Sequence, residues 1–340
     1  MALWTDIIDP ADLTGYARES LSAYEARKGT LARWLPNRDV FDIVVRFVAG
    51  AAGLVEEARF RAYDAEPEVG KAPAGKRVTL ELPAIGQNIP VSEYTQLRTR
   101  GASDEAIQVS ILRTTERVVQ AVADRIERLR GTVLVTGKAT ITQDNFNTED
   151  DFVRAAGHTV TANALWSSNT NVDRLADLQT WHDVYVASNG VEPGALVMST
   201  AVFRQLAAGD QFQVQLVNSA SRPPTEADVQ AIVQGAGLPP IFRFDRRTSA
   251  GVVLDATKVL YLPAPVDVDD FEGTELGATF WGQTLTSTDP SYGIEDAEQP
   301  GIVAGVYRNE KPPMIAEVIS DAIGMPVLAN ADLSLAAKVL

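Results

Sequence analysis

The clearest periodicity in the chain runs from Ser103 to Val135. There Ile107, Ile111, Val118, Val122, Ile126, Leu129 and Val133 recur at intervals of three, four and seven, and Leu112 and Val119 widen the stripe. That spacing places the apolar positions on one face of an α-helix. Ser103 is suited to cap it, and Asp104 and Glu105 fall in the first turn, where the helix dipole favours negative charge. At 1.5 Å per residue the helix is on the order of 45 Å long, an organising spine for a sheet beside it. Asp124 and Arg128, four residues apart, are expected to pair on its exposed side.

Upstream, Pro10 to Ala26 carries a looser stripe of Leu13, Tyr16, Leu21 and Tyr24, weakened by Gly15, and Gly29 and Pro36 break the chain on either side of Trp34. A stripe this thin cannot build its own core. Residues 1–48 therefore read as an N-terminal arm that packs on its own subunit or on a neighbour, with Trp34 a candidate contact. Next, Ala58 to Tyr63 and Arg77 to Leu82 alternate with period two around a tip holding Pro67, Gly70, Lys71, Pro73, Gly75 and Lys76. The expectation is a two-stranded projection within 49–95. An isolated ribbon is marginal in water, so it needs a surface to lie on. Pro67, Lys71 and Lys76 join the candidate inter-subunit contacts.

Downstream, strands are expected at Lys138 to Thr142 and Phe152 to Val160, followed by an α/β segment from about Asn171. In that segment helices are read at Val172 to Ala187 and Thr200 to Ala208, and another opens at Thr225, where Asp228 completes a capping-box pattern. Strands are read at Ala195 to Met198, Val252 to Leu254 and Lys258 to Leu262. Met314 to Leu328 is apolar enough to rejoin a core, and a short amphipathic tail ends at Leu340.

Composition narrows the function. The chain has 340 residues, enough for a sizeable core, no cysteine, and 45 acidic against 30 basic residues, a net charge of −15. Thiolate, disulfide and cysteine-based metal chemistry are excluded. The acidic balance as a whole repels nucleic acid and membrane phosphates. The first residues lack a signal-peptide pattern, and Ile43 to Val55 is too short and too interrupted to span a bilayer, so folding or assembly in the cytoplasm is expected.

Motifs that suggest chemistry do not hold. Gly131 to Lys138 has five residues between its glycines and Ala139 after the lysine, whereas a phosphate loop needs four and a Ser or Thr. Gly235-Ala236-Gly237 follows a helix instead of a strand, which fits a helix end and not a dinucleotide site. His158 and His182 show no ligand spacing. Between Lys258 and Arg308 there is no basic residue, while acids such as Asp269 and Asp270 accumulate; the pattern is not that of a calcium loop. It reads as a solvated acidic surface, or as the partner of a basic patch (Arg243, Arg246 and Arg247) on a neighbouring copy.

Four stretches carry a family likeness: Gly53 to Ala58 (GLVEEA), Val133 to Phe146 (VLVTGKATITQDNF), the pair Ala195 to Leu206 and Val252 to Leu262, and Ile319 to Leu340 (ISDAIGMPVLANADLSLAAKVL). In this order they resemble the lambda-like (E family) major capsid proteins of tailed bacteriophages, with the Hong Kong 97-type capsid fold. The resemblance implies an α+β fold divided into an N-terminal arm (1–48), an extended E-loop hairpin (49–95), a peripheral domain with the spine helix (96–165), an axial domain (166–310) and a C-terminal return to the peripheral domain with a tail (311–340). It implies self-assembly into pentamers and hexamers of an icosahedral virion shell around double-stranded DNA, with portal, scaffold and in some cases decoration proteins as partners. It implies no cofactor, no metal, no membrane and no catalytic residue. No motif fixes an Asn partner for Lys71 or Lys76, so a covalent cross-link is not expected. The competing readings are a cellular nanocompartment shell (encapsulin) on the same fold and, from another class, a soluble acidic α/β enzyme.

Overall fold

A computed structural model describes residues 2–5, 7–49, 76–98, 104–143, 146–167, 172–215, 221–268, 274–309 and 311–340. Its longest element is the spine helix, Asp104–Thr136, 33 residues and about 50 Å at 1.5 Å per residue. The apolar face read from the sequence is the buried one, with Val118, Val122 and Ile126 at most 2% exposed. Gly137, at φ 71°, ends the helix in the left-handed conformation that a residue with a side chain resists. Arg154 closes that end by donating from Nη1 to the Leu134 carbonyl (2.9 Å) and from Nη2 to the Val135 carbonyl (2.7 Å). A cation on the last carbonyls also complements the helix dipole. Ser103, the expected cap at the other end, lies outside the described residues.

The spine helix joins two cores. Along its first part Ile111, Val118, Val119, Val122 and Ile126 pack with Trp281, Val306, Val318 and Ala322 of a six-stranded sheet and with Leu13 and Ala17. Further on, Leu129, Val133 and Leu134 enter a larger core with Leu196, Val197, Leu260 and Leu335 of a five-stranded sheet. The six-stranded sheet runs Ala2–Leu3, Val303–Arg308, Ala316–Leu328, Gly277–Gly282, Asn37–Asp39, with Ala84–Val91 also paired to Ala316–Leu328. The five-stranded sheet runs Ile241–Arg243, Ala195–Met198, Lys258–Leu262, Leu335–Lys338, Thr159–Thr161. Helices Arg174–Asn189, Thr200–Ala207 and Glu226–Gly235 accompany this second sheet in the chain. Thr225 caps the last of them in the reciprocal arrangement with Asp228 that the sequence predicts.

The arm helix, Pro10–Lys28, begins where Asp9 accepts from the Ala11 N–H at 2.8 Å with Pro10 in the first helical position, and it stops at Gly29, φ 75°. It lies on its own subunit, the first of the two options the sequence leaves open. Leu13 and Ala17 are fully buried, and the Tyr16 and Tyr24 hydroxyls donate to Glu116 and Asp124 of the spine helix.

Four local expectations are corrected. Asp124 does not pair with Arg128; it accepts from Arg246 Nη2 at 3.0 Å. Residues 152–160 are not one strand: Phe146–Asp151 pairs with Lys138–Gln143, and the chain then turns at Val153, φ 57°, before Thr159–Thr161. The strand Lys76–Glu81 takes Val44–Ala49 as its partner, with Val45 opposite Leu80, while 58–63 lies outside the described residues. The expected C-terminal tail is an interior strand, Leu335–Lys338, between Lys258–Leu262 and Thr159–Thr161.

Candidate assembly surfaces and the ionic junction behind them

The arm, the spine helix and both sheets meet at one buried ionic cluster. Arg130, wholly inaccessible, donates from Nη1 to Glu25 at 2.6 Å and Glu127 at 2.9 Å, from Nη2 to Asn37 at 2.5 Å, and from Nε to the Thr279 hydroxyl at 2.9 Å. Burial by itself would lower the guanidinium pKa, but the two carboxylates outweigh it and hold the group above its ordinary value. Glu127 also accepts from the Leu31 N–H (2.7 Å) and the Thr30 hydroxyl (3.0 Å), so its lone pairs are used. One helical turn away, Arg246 reaches in from beyond the second sheet. It donates to Asp124 and to the Gly29 carbonyl (2.8 Å), and its guanidinium sits 5.2 Å from the Tyr24 ring centre. A charge this deep needs partners; Arg130 has them at all three nitrogens, whereas Arg246 keeps its buried Nε without one. The cluster is structural: it fixes where the arm helix ends and where the second sheet sits against the spine.

Outside this junction the surface offers features suited to other copies. The ribbon Val44–Ala49 with Lys76–Glu81 packs Val45 and Leu80 into the larger core, and Phe41 and Ile43 beside it are 61% and 44% exposed. Beside it Ala84–Val91 is an edge strand on the long strand Ala316–Leu328, with Gly86, Gln87, Asn88 and Pro90 exposed. Eight residues of open edge invite pairing with another chain, although Pro90 lacks a donor. A groove of about 360 Å³ lies between this strand, the spine helix and the Lys138–Gln143 hairpin, lined by Ile85, Val122, Arg125, Leu129, Ile141 and Phe146. Leu285, 90% exposed, stands on the acidic stretch with Asp289, Glu295, Asp296 and Glu298.

The residues singled out from sequence meet different fates. Pro67, Lys71, Asp269 and Asp270 lie outside the described residues, and Lys76 is placed only by its backbone, opposite Ala49. Trp34 is 3% exposed and donates from its indole to the Pro263 carbonyl, which leaves no face for a neighbour. Arg246 is likewise used inside the subunit. Arg243 and Arg247 are exposed, and Arg243 pairs with Glu226 at 2.8 Å within the chain. The three arginines therefore form no common patch. His158 belongs to the core, its ring 6.2 Å from that of Tyr185 and Nδ1 3.3 Å from the Ser334 carbonyl. Asp289 accepts from Ser291, which lowers its pKa, and Asp296 accepts from Gln299, so these acids serve their own turns. Among the described residues no group of three or more Asp, Glu or His is placed to hold a metal ion.

Sequence reading missed Arg130, Glu127 and Arg154. The available signal was an Arg and a Glu three apart, with apolar residues before and after them at helical spacing, which reads equally well as a solvated pair.

Residues 27–236, more than half of the chain, match the family model described as phage major capsid protein E. No curated protein matches the chain. Two crystal structures share its fold over nearly their full length. A protein assigned as the capsid protein of a prophage in E. coli CFT073 has a TM-score of 0.60 at 14% identity, covering 98% of this chain and 99% of that one. A phage-related protein from Bordetella bronchiseptica RB50 has a TM-score of 0.58 at 15% identity, covering 99% and 97%. At such identities the likeness is one of fold, and the fold is the α+β arrangement that the sequence resemblance implied.

Proposed function

The chain belongs to the phage major capsid protein E family and is a structural protein of the head shell, and from that premise we propose that its copies close as pentamers and hexamers into an icosahedral container for double-stranded DNA. The family match carries the reading, and it favours a viral shell over a cellular nanocompartment or a soluble enzyme. The surface features support it. Exposed Phe41 and Ile43 and an eight-residue open edge are costly for a monomer to maintain and useful to a subunit that is always surrounded. In this reading residues 1–48 are the arm, 49–95 the E-loop, 96–165 the peripheral domain, 166–310 the axial domain and 311–340 the return segment. Pro67, Lys71, Lys76, Arg243, Arg247, Asp269 and Asp270 remain contact candidates. A portal, a scaffold and in some settings a decoration protein complete the partners, and assembly takes place in the host cytoplasm. Negative-stain microscopy and sedimentation of the expressed protein, with its scaffold present, test the reading. Closed shells or rings of five and six are expected, and a strictly monomeric species at high concentration overturns it.

A further inference from the structure

The outer flank of the spine helix carries Arg113, Arg117, Arg125 and Arg128. At 100° per residue these four fall within about a third of the helix circumference, and they span about 22 Å along its axis. Arg113 and Arg117 are exposed, Arg125 and Arg128 half-buried. Among the described residues none of the four has an ion-pair or hydrogen-bond partner for its side chain. Arg125 is held below its ordinary pKa by burial and by the like charge of Arg128, with no carboxylate acting in the opposite direction. Asp124, the acid nearest to them on the helix, is already committed to Arg246 and Tyr24. A protein with a net charge of −15 thus keeps four arginines without side-chain partners on one flank of its longest helix, where Glu116 accepts from Tyr16 and Asp124 from Tyr24 and Arg246.

Resting on the shell reading above, we infer that this flank is the lumenal surface of the subunit and that its arginines contact the phosphates of the enclosed duplex. Ser110, Gln120, Ala121 and Thr132 around them are small or polar, while Arg125 borders the groove lined by Ile85, Leu129 and Ile141. Such a set suits hydrogen bonds and ion pairs to a nucleic-acid backbone. The main on-chain alternative, the acidic stretch of a second copy, is less suited, because Asp289 and Asp296 already accept hydrogen bonds within their own turns. Duplex DNA presents one phosphate charge per about 1.7 Å of axis, so a line of arginines finds partners in any register and reads no sequence. The overall negative charge then limits adhesion elsewhere and leaves one weak, salt-sensitive contact per subunit.

Two measurements test this. Fluorescence anisotropy of a 30-base-pair duplex with purified subunits, between 50 and 200 mM salt, is expected to show binding whose log–log salt slope lies near about −3 to −4, for four phosphates at about −0.9 each. The variant with Arg113, Arg117, Arg125 and Arg128 all changed to Gln should lose at least tenfold in affinity at 50 mM salt. The double variant at the two exposed positions, Arg113→Gln with Arg117→Gln, keeps the test open if the fourfold one fails to fold, with at least threefold expected. Because the chain has no cysteine, Arg117→Cys gives a single thiol. It should resist a bulky maleimide in intact shells and react once they are dissociated. Variants that bind the duplex as tightly as the parent, or an introduced thiol that reacts equally fast in intact and dissociated shells, overturn the inference. A variant that loses assembly but keeps its DNA affinity overturns it too and points to a second copy as the occupant. Failure of the shell reading is separate: it shows as an absence of particles from the parent protein, and the duplex measurement needs no particle.

Discussion

Arg130 of the spine helix and Glu25 of the arm helix meet at 2.6 Å, with side chains 0% and 4% exposed. Neither is stable there alone. Their contact joins segments more than a hundred residues apart and makes the position of the arm helix depend on one guanidinium.

Replacing Arg130 with Leu should therefore cost about 3–5 kcal/mol, because Glu25 and Glu127 are left buried without their cation. Glu149→Gln, which breaks the exposed contact of Glu149 with Lys138, should cost no more than about 1 kcal/mol. Urea unfolding of the two variants in parallel makes the comparison. Equal midpoints would show that the buried cluster contributes nothing beyond a surface pair.

Eight residues before Arg130 on the same helix, Val122 is 2% exposed against Trp281, Val318 and Ala322, whereas Arg113 faces solvent. Val122→Asp should cost several kcal/mol, comparable to a domain's net stability of about 5–15 kcal/mol. Arg113→Asp should leave folding intact. Soluble yield and circular dichroism report the difference, and a native-like Val122→Asp would mean that this flank does not pack as described.

Two mid-helix glycines should respond with opposite signs to alanine. Gly15 is exposed on the arm helix, and a Cβ there meets nothing within 4 Å, so Gly15→Ala should stabilise by about 1 kcal/mol. At Gly131 a Cβ would lie 2.2 Å from the Val253 carbonyl oxygen, a backbone atom that cannot turn aside. Gly131→Ala should destabilise despite its better helix propensity. Thermal midpoints decide, and a gain at Gly131 would contradict the close approach of helix and loop.

Val153 is a β-branched residue at φ 57°, 57% exposed. That conformation costs a branched side chain on the order of 1–2 kcal/mol, more than the added chain entropy of glycine. Val153→Gly should raise the thermal midpoint by a few degrees. A drop would show that the Val153 side chain makes a contact worth more than its strain.

Local pattern read most of the helices and several strands correctly, because the apolar spacing of the spine helix and the Thr225–Asp228 cap are set by neighbours in sequence. Partnership across the chain was harder to see. Arg77 to Leu82 alternates clearly, but alternation does not say whether its partner is 44–49 or 58–63. Asp124 and Arg128 have good pairing geometry on an isolated helix, yet Arg246, 122 residues away, brings a guanidinium already stripped of water by its surroundings. Phe152 to Val160 has strand-like residues, and the turn at Val153 breaks it in a conformation that no propensity favours. Trp34 reads as a surface anchor until the proximity of Pro263 is known. The candidate assembly surfaces are legible mainly through family likeness, since an open edge has no meaning in the sequence of a single subunit.

The segment 316–338 supplies an interior strand to each sheet: Ala316–Leu328 pairs with Val303–Arg308 over 316–321, with Gly277–Gly282 over 323–328 and with Ala84–Val91 over 316–323, and Leu335–Lys338 lies between Lys258–Leu262 and Thr159–Thr161. A nascent chain that has not yet reached residue 316 therefore holds two unfinished sheets. Neither can close until this stretch clears the exit tunnel, so both sheets wait for residues 316–338. A product cut short before residue 316 lacks the middle of both sheets at once.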